Sequence, residues 1–164
     1  MLVESRPLLF YFMVLVSLVI GYELAIFPLS PKFLMLRPEI VALLVIYWIM
    51  SVPQHLGIGF AFYVGLWQDI LEQGVWGAHA LALVFVAYFC LSAYKRIINF
   101  SVWQQALWVM VLIFCHQLVV SLVQKLAGFN VHPNQVLGSA ILTGLCWPLV
   151  LIALRRFRLN YRMV

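Results

Sequence analysis

Two carboxylates, Asp69 and Glu72, lie beside two amides, Gln68 and Gln73, in the otherwise apolar stretch GLWQDILEQGVWG, residues 65–77. Carboxylates three residues apart fall on the same face of a helix. Glycosidases hold two carboxylates about 5 to 10 Å apart around a cleft, but helix geometry alone produces a similar spacing. The pair is therefore compatible with a solvated helix end, with a structural pair or partner contact, and, with the least support, with catalysis.

Other residue types that carry chemistry do not form recognisable motifs. The chain has no P-loop, HExxH motif, nucleophile elbow or Ser/His/Asp arrangement. Its four histidines lack paired ligand spacing, and its three cysteines lie singly in apolar runs without a CxxC motif. We therefore expect no catalytic residue, no cofactor and no metal, and a protein that is not an enzyme.

Composition indicates what surrounds the chain. Of its 164 residues, 66% are hydrophobic and 9% are charged, and apolar runs of about 20 residues can cross the hydrocarbon core of a bilayer. The runs are continuously apolar, which favours helices over a barrel. The sequence thus predicts one all-α integral membrane domain, residues 1–164, with six spans near 8–27, 39–52, 56–71, 77–93, 102–124 and 135–154. The second and third are short for full crossings.

Lysine and arginine in the connections predict orientation, because they are retained on the cytoplasmic side. Six spans place seven of them on one face and three on the other. The larger group is Arg6, Lys95, Arg96, Arg155, Arg156, Arg158 and Arg162; the smaller is Lys32, Arg37 and Lys125. Both termini are expected in the cytoplasm, which puts Asp69 and Glu72 near water at the outer end of the third span. Five spans, with one early block re-entrant, are the alternative.

The stretch LRPEIVALLVIYW, residues 36–48, is typical of a helix start. Pro38 suits the first helical position, and Glu39 in the first turn would face the positive end of the helix dipole. The simplest interpretation is a helix N-terminus with Arg37 in the head-group layer. The functional alternative pairs Arg37 with one of the two carboxylates and so clamps two spans at the outer face.

Small, aromatic and polar residues complete the candidates. Gly65 follows an alanine by four residues, a spacing that lets helices approach closely in lipid, either inside the bundle or against a partner. Trp67 and Trp76 flank the carboxylates as aromatic residues flank a membrane interface. His116 and Gln117 lie within the fifth span, where interhelical hydrogen bonds are expected. The basic clusters indicate contact with membrane lipid and not with nucleic acid.

The stretch LRPEIVALLVIYWIMSVPQHLGIGFAFYVGLWQDILEQGVWGAHALA, residues 36–82, resembles the rod shape-determining MreD family. The similar features are an Arg-Pro before a span with Tyr-Trp, a Pro turn, a Gly-rich span ending in Asp, and a Gly followed by Ala-Leu. Residues 101–110 and 145–158 extend a weaker resemblance over nearly the whole chain. Ala61 departs from the family, which often has Gly there.

This resemblance implies a non-catalytic scaffold of the bacterial inner membrane that binds MreC. It would work beside MreB, RodA and the transpeptidase partner of RodA in side-wall peptidoglycan synthesis. The family's fold is similar to the six-helix S components of energy-coupling-factor transporters. That similarity supplies the alternative, a small-molecule-binding subunit of a vitamin uptake transporter with an outward pocket lined by Arg37, Trp67, Asp69 and Trp76. A membrane enzyme is the third hypothesis. It ranks last, because acid–base catalysis needs a base within hydrogen-bond reach of its target and no such base can be placed here.

Overall fold

Ten consecutive residues, 41–50, are buried on every side of one short helix, and four of the other helices pack around it. A helix that is apolar all round is stable when it is enclosed. The computed structural model describes residues 7–26, 38–129 and 133–160. The helices in order are α1 (Pro7–Ile26), α2 (Ile40–Ser51), α3 (Ile58–Glu72), α4 (Ala78–Ile97), α5 (Val102–Leu126) and α6 (Pro133–Asn160).

The all-α class and the six helices are confirmed, and the described residues contain no strand. Four helices, α1, α4, α5 and α6, are long and apolar enough to cross a membrane. The other two are shorter, with 12 residues in α2 and 15 in α3. At the rise of an α-helix, α2 spans about 18 Å, well short of the bilayer's hydrocarbon core.

The central helix, α2, packs against α1, α4, α5 and α6. Hairpin neighbours also pack on each other, α3 on α4 and α5 on α6. Large apolar side chains are exposed on the outward faces of the helices around α2, for example Phe12, Tyr63, Tyr88, Leu122 and Leu149. A soluble monomer rarely exposes apolar surface this extensively. The arrangement fits a multi-pass membrane protein whose outer faces contact lipid.

The two ends of the bundle differ in charge. At one end of the bundle α2 and α4 begin and α3 ends, and we call this the acidic end. It contains Glu39, Asp69 and Glu72. At the other end α4 ends, α5 begins and the last turns of α6 lie, and we call this the basic end. The basic end contains Lys95, Arg96, Arg155 and Arg156.

Glycines mark the places where helices approach most closely. A Cβ atom added to Gly65 in α3 would lie 2.5 Å from Ala80 Cα and 2.6 Å from Ala80 N in α4. A Cβ added to Gly144 in α6 would lie 2.7 Å from Met110 Cβ in α5. Both glycines therefore face neighbouring helices of the same chain, which supports internal packing as the role of the small residues.

We expect Gly65→Ala to lower the free energy of unfolding by about 1–3 kcal/mol, because the new methyl group meets the backbone of Ala80 and not a flexible side chain. Gly59 on the same helix provides the matched control, since a Cβ there would meet nothing within 4 Å. Gly59→Ala should be neutral or stabilising by up to about 1 kcal/mol, from helix propensity. Thermal unfolding of the detergent-solubilised variants measures both. Equal melting temperatures for the two variants would contradict the close α3–α4 approach.

Candidate functional site

Asp69 is fully buried, with 0% of its surface exposed. The expectation that it lies near water at a solvated helix end is therefore wrong. The reason is the short connection after α3, which folds the start of α4 directly over the carboxylate. Gly65 lies one helical turn before Asp69 on the same face of α3, so the close approach of the two helices brings the carboxylate to the α4 N-terminus.

The Asp69 carboxylate accepts hydrogen bonds from three backbone amides and one side chain. Oδ2 accepts from Gly77 N–H at 2.8 Å and from Ala80 N–H at 3.3 Å. Oδ1 accepts from His79 N–H at 3.0 Å and lies 2.9 Å from His79 Nδ1. Because an ionised carboxylate can only accept, Nδ1 is the ring nitrogen that carries the hydrogen.

These bonds supply the cap that α4 lacks. The N-cap residue of α4 is Gly77, whose φ of 92° lies in the left-handed region that favours glycine, and it has no side chain to cap the helix. The first amides of a helix have no intrahelical partner and need one from elsewhere. Asp69 accepts from three of them, and Ala78 N–H donates to Val75 O at 3.1 Å. The first turn of α4 is thus fully satisfied by the α3–α4 connection and by α3 itself.

The same bonds leave Asp69 little capacity for chemistry. A carboxylate has about four lone-pair sites, and four N–H groups already occupy them. His79, which is 6% exposed, is held against this saturated group. A general base must reach the proton it removes, directly or through water. The geometry therefore supports a structural role for the Asp69–His79 pair.

Glu72 and Gln68 form the next layer of this polar cluster. Gln68 Nε2 donates to Glu72 Oε1 at 3.0 Å, one helical turn away. Glu72 Oε2 lies 3.7 Å from His79 Nε2, too far for a hydrogen bond but close enough for a favourable charge interaction when the ring is protonated. The Glu72 side chain keeps 26% of its surface exposed, so of the two carboxylates it is Glu72 that reaches the surface.

His116 brings α5 into contact with this cluster. Its ring centroid lies 5.9 Å from that of His79, and the residue has no exposed surface. Neither ring nitrogen has a hydrogen-bond partner within the described part of the chain. The neighbouring Gln117 does bond across helices, because its Nε2 donates to Glu39 Oε1. The expected interhelical hydrogen bond is therefore present at Gln117, and the described residues supply none at His116.

The start of α2 is held by α5 and α6. Glu39 N–H donates to Thr143 Oγ1 at 2.9 Å, and that hydroxyl donates to Ser139 O at 2.6 Å within α6. Glu39 is the N-cap of α2, with a non-helical ψ of 70°. Pro38 therefore precedes the cap and does not occupy the first helical position, because the non-helical backbone of Glu39 makes Ile40 the first helical residue.

This anchoring places the start of α2 below the end of the bundle. Gln117, which holds Glu39, lies nine residues before Leu126, the last residue of α5. At about 1.5 Å per residue, α2 begins roughly 14 Å inside that end. The N-terminus of α2 is thus partly buried between longer helices, and its Glu39 carboxylate lies near the positive end of the helix dipole.

The two tryptophans of the acidic end are exposed, Trp67 at 56% and Trp76 at 75%. Asp69 has no accessible surface and cannot line an open pocket with them. Arg37, the fourth residue of that predicted pocket and the predicted partner of the carboxylates, lies outside the described residues. Among the candidates described, Glu39, Gly65 and Asp69 hold helices together, and Glu72 and the tryptophans reach the surface.

Comparison with known proteins identifies the family. The family model for the rod shape-determining protein MreD matches residues 5–157. The chain belongs to the MreD family. A rod shape-determining protein MreD of Haemophilus influenzae (strain ATCC 51907 / DSM 11121 / KW20 / Rd) is 32% identical over 161 residues, covering 98% of this chain and 99% of the relative. No solved structure matched the chain, and the likeness to S components stays a prediction.

Sequence reasoning missed the amides that bind Asp69 in this MreD protein. One signal was present: α4 begins at Gly77-Ala78, without the Ser, Thr, Asp or Asn that normally caps a helix. An uncapped helix start next to a lone aspartate indicates a cap supplied by the preceding helix. No feature of the sequence indicates that His79 lies close to His116, because this contact arises from the packing of α4 on α5.

We expect Asp69→Asn to destabilise the protein by about 1–3 kcal/mol, because an amide nitrogen replaces one acceptor and leaves buried N–H groups without a partner. The effect should be local to the start of α4. Hydrogen–deuterium exchange should show lost protection at His79 and Ala80, with the middle of α5 unchanged. Glu72→Gln is the matched control and should leave both amides protected. Unchanged protection in Asp69→Asn would show that the carboxylate does not cap α4.

Proposed function

We propose that this MreD protein is a non-catalytic inner-membrane scaffold that binds MreC and supports side-wall peptidoglycan synthesis. The family establishes a role in rod shape determination. The observation that carries the proposal further is the saturation of Asp69 by four N–H groups. The most buried charge among the described residues is used to join two helices, which is the property of a rigid frame.

A rigid frame in lipid acts through the outward faces of its helices, and the outward face of α4 is one that is rich in aromatic residues. Four exposed residues on α4 follow the spacing of a single helical face, and we call them the α4 stripe: Leu81, Phe85, Tyr88 and Phe89. Aromatic residues frequently dominate the binding energy of interfaces. The stripe therefore offers a packing surface for the membrane anchor of MreC.

Tyr88 gives this surface its polarity. It is 58% exposed and lies ten residues after the start of the 20-residue α4, near the middle of a span. Its hydroxyl has no partner among the described residues. A hydroxyl facing hydrocarbon without a hydrogen bond is unfavourable. A partner helix that presents an acceptor at this depth would satisfy it, and lipid tails would not.

MreB, RodA and the transpeptidase partner of RodA would join the same complex through MreC or through the basic end. In this proposal the basic end faces the cytoplasm, together with both termini, and the acidic end faces outward. The excess of lysine and arginine at the basic end supports this orientation. The vitamin-binding alternative has less support, because Asp69 has no surface with which to contact a ligand.

Orientation is testable with a membrane-impermeant maleimide on intact cells. Trp76→Cys at the acidic end should be labelled, whereas Ile98→Cys at the basic end, 60% exposed, should react only after the membrane is opened. The parent chain, with Cys90, Cys115 and Cys146 inside helices, measures background labelling. Labelling of Ile98→Cys in intact cells would reverse the proposed orientation.

We expect Tyr88→Ala to reduce the MreC recovered with the tagged protein from native membranes by about tenfold, the loss expected from an interface residue that contributes about 1–2 kcal/mol. Leu122→Ala on α5 is the control, because Leu122 is similarly exposed at 60% against 58% for Tyr88. It should retain MreC at the level of the unmodified chain.

Two results would contradict the proposal at different levels. If the unmodified protein recovers no MreC from native membranes, the scaffold function itself is wrong. If Tyr88→Ala and Leu122→Ala retain MreC equally, the scaffold stands and the α4 stripe is not its contact surface. Restoration of rod shape in cells lacking their own MreD, at matched protein levels, should follow MreC recovery.

A further inference from the structure

The buried face of α6 ends at a proline inside the helix, Pro148. Before it, α6 has six buried positions at helical spacing: Val136, Ser139, Ala140, Thr143, Gly144 and Trp147. After it, none of residues 148–156 is buried. The sequence does not account for this change, because Val150, Leu151 and Leu154 continue the same face with apolar side chains and are only half-buried against the core. We call residues 149–156 the post-proline segment; it is packed less closely than its sequence allows.

A cavity of about 420 Å³ lies beneath the post-proline segment. Leu151 and Arg155 line the cavity from this segment. The opposite wall is formed by the end of α2 and by the α4–α5 connection with the start of α5, and includes Met50, Ile98 and Val102. Atoms that line a void lose the contacts they would make in a close-packed interior. Movement of the segment toward the opposite wall would therefore gain packing contacts.

Pro148 makes such a movement possible. It has no N–H group, so the Gly144 carbonyl four residues earlier receives no hydrogen bond from position 148, and the proline ring crowds that carbonyl. Helices bend at positions of this kind. The first half of α6 is anchored, because Trp147 is 1% exposed and a Cβ added to Gly144 would lie 2.7 Å from Met110 Cβ. The weak point of the helix thus separates an anchored half from a loosely packed one.

We propose that Pro148 is a hinge on which the post-proline segment closes over the cavity. A bend of about 20° at Pro148 would move Arg156, which lies about 12 Å further along the helix axis, by about 4 Å. In the closed position Leu151 and Leu154 join the buried face of α6. The hinge does not depend on MreC binding, and it gives the otherwise fixed frame a movable element at its basic end.

Distance measurements by electron paramagnetic resonance on the full-length protein in nanodiscs test the hinge. One pair of spin labels, at Arg156→Cys and Leu107→Cys, follows the post-proline segment relative to α5. Its distances should be spread over about 4 Å, the displacement expected from a proline bend. The matched control pair, at Ile141→Cys and Leu118→Cys, joins the anchored half of α6 to α5 and should give a single narrow distance. All four positions are exposed.

The native cysteines are handled according to their burial. Cys115 and Cys146, which are half-buried, are replaced by alanine, and the buried Cys90 is kept. The chain that carries Cys90 alone measures background labelling.

Two variants separate the hinge from the cavity. Pro148→Ala restores the N–H group and removes the ring, so it should narrow the distances of the first pair and leave the control pair unchanged. Val102→Trp adds bulk to the opposite wall of the cavity and should remove the shorter distances of the first pair. An unchanged control pair in both variants shows that the fold is intact.

Three results would overturn the proposal. Equal widths for the two pairs in the chain that keeps Pro148 would show that the post-proline segment does not move. A distribution that stays broad in Pro148→Ala would show that the proline is not the hinge. Shorter distances that persist in Val102→Trp would show that the segment moves without closing over the cavity.

Discussion

The hydrogen bonds between the Asp69 carboxylate and the first amides of α4 are the interaction on which this end of the molecule depends. A buried N–H group without a partner is costly, so a helix start that is covered by protein must find acceptors within the protein. Here α4 begins with Gly77 and Ala78, which have no capping side chain. Asp69 supplies the acceptors from α3. The two helices therefore stabilise each other, and the charge of Asp69 is compensated by the positive end of the α4 dipole.

The start of α2 follows the same rule with different residues. Its N-cap amide is bonded to Thr143 of α6, and its N-cap carboxylate to Gln117 of α5. Polar side chains are thus concentrated at the acidic end and used for internal bonds, whereas most cations at the basic end remain at the surface. A shape-determining membrane protein built in this way has a fixed frame, with apolar helix faces and a basic rim left for other molecules.

Hydropathy alone predicted the all-α class and the number of helices, because continuous apolar runs separated by polar turns are a strong local signal. The environment of Asp69 was not predictable from its spacing to Glu72. Local spacing places both on one face of α3, but burial depends on how the next helix folds back, and the decisive amides belong to residues 77, 79 and 80. The contact of His79 with His116 also depends on tertiary packing alone. Pro38 was misplaced by two positions because Glu39 has a non-helical backbone and is the N-cap, so the helix begins at Ile40.

The shared capping of α3 and α4 has a consequence for biosynthesis. α3 has only 15 residues and ends in two carboxylates, so by itself it is a poor substrate for membrane insertion. Its aspartate is hydrogen-bonded by the first amides of α4, which emerges from the ribosome immediately afterwards. We therefore expect the two segments to leave the translocon together as a preformed hairpin, with α3 retained at the protein-conducting channel until its successor arrives.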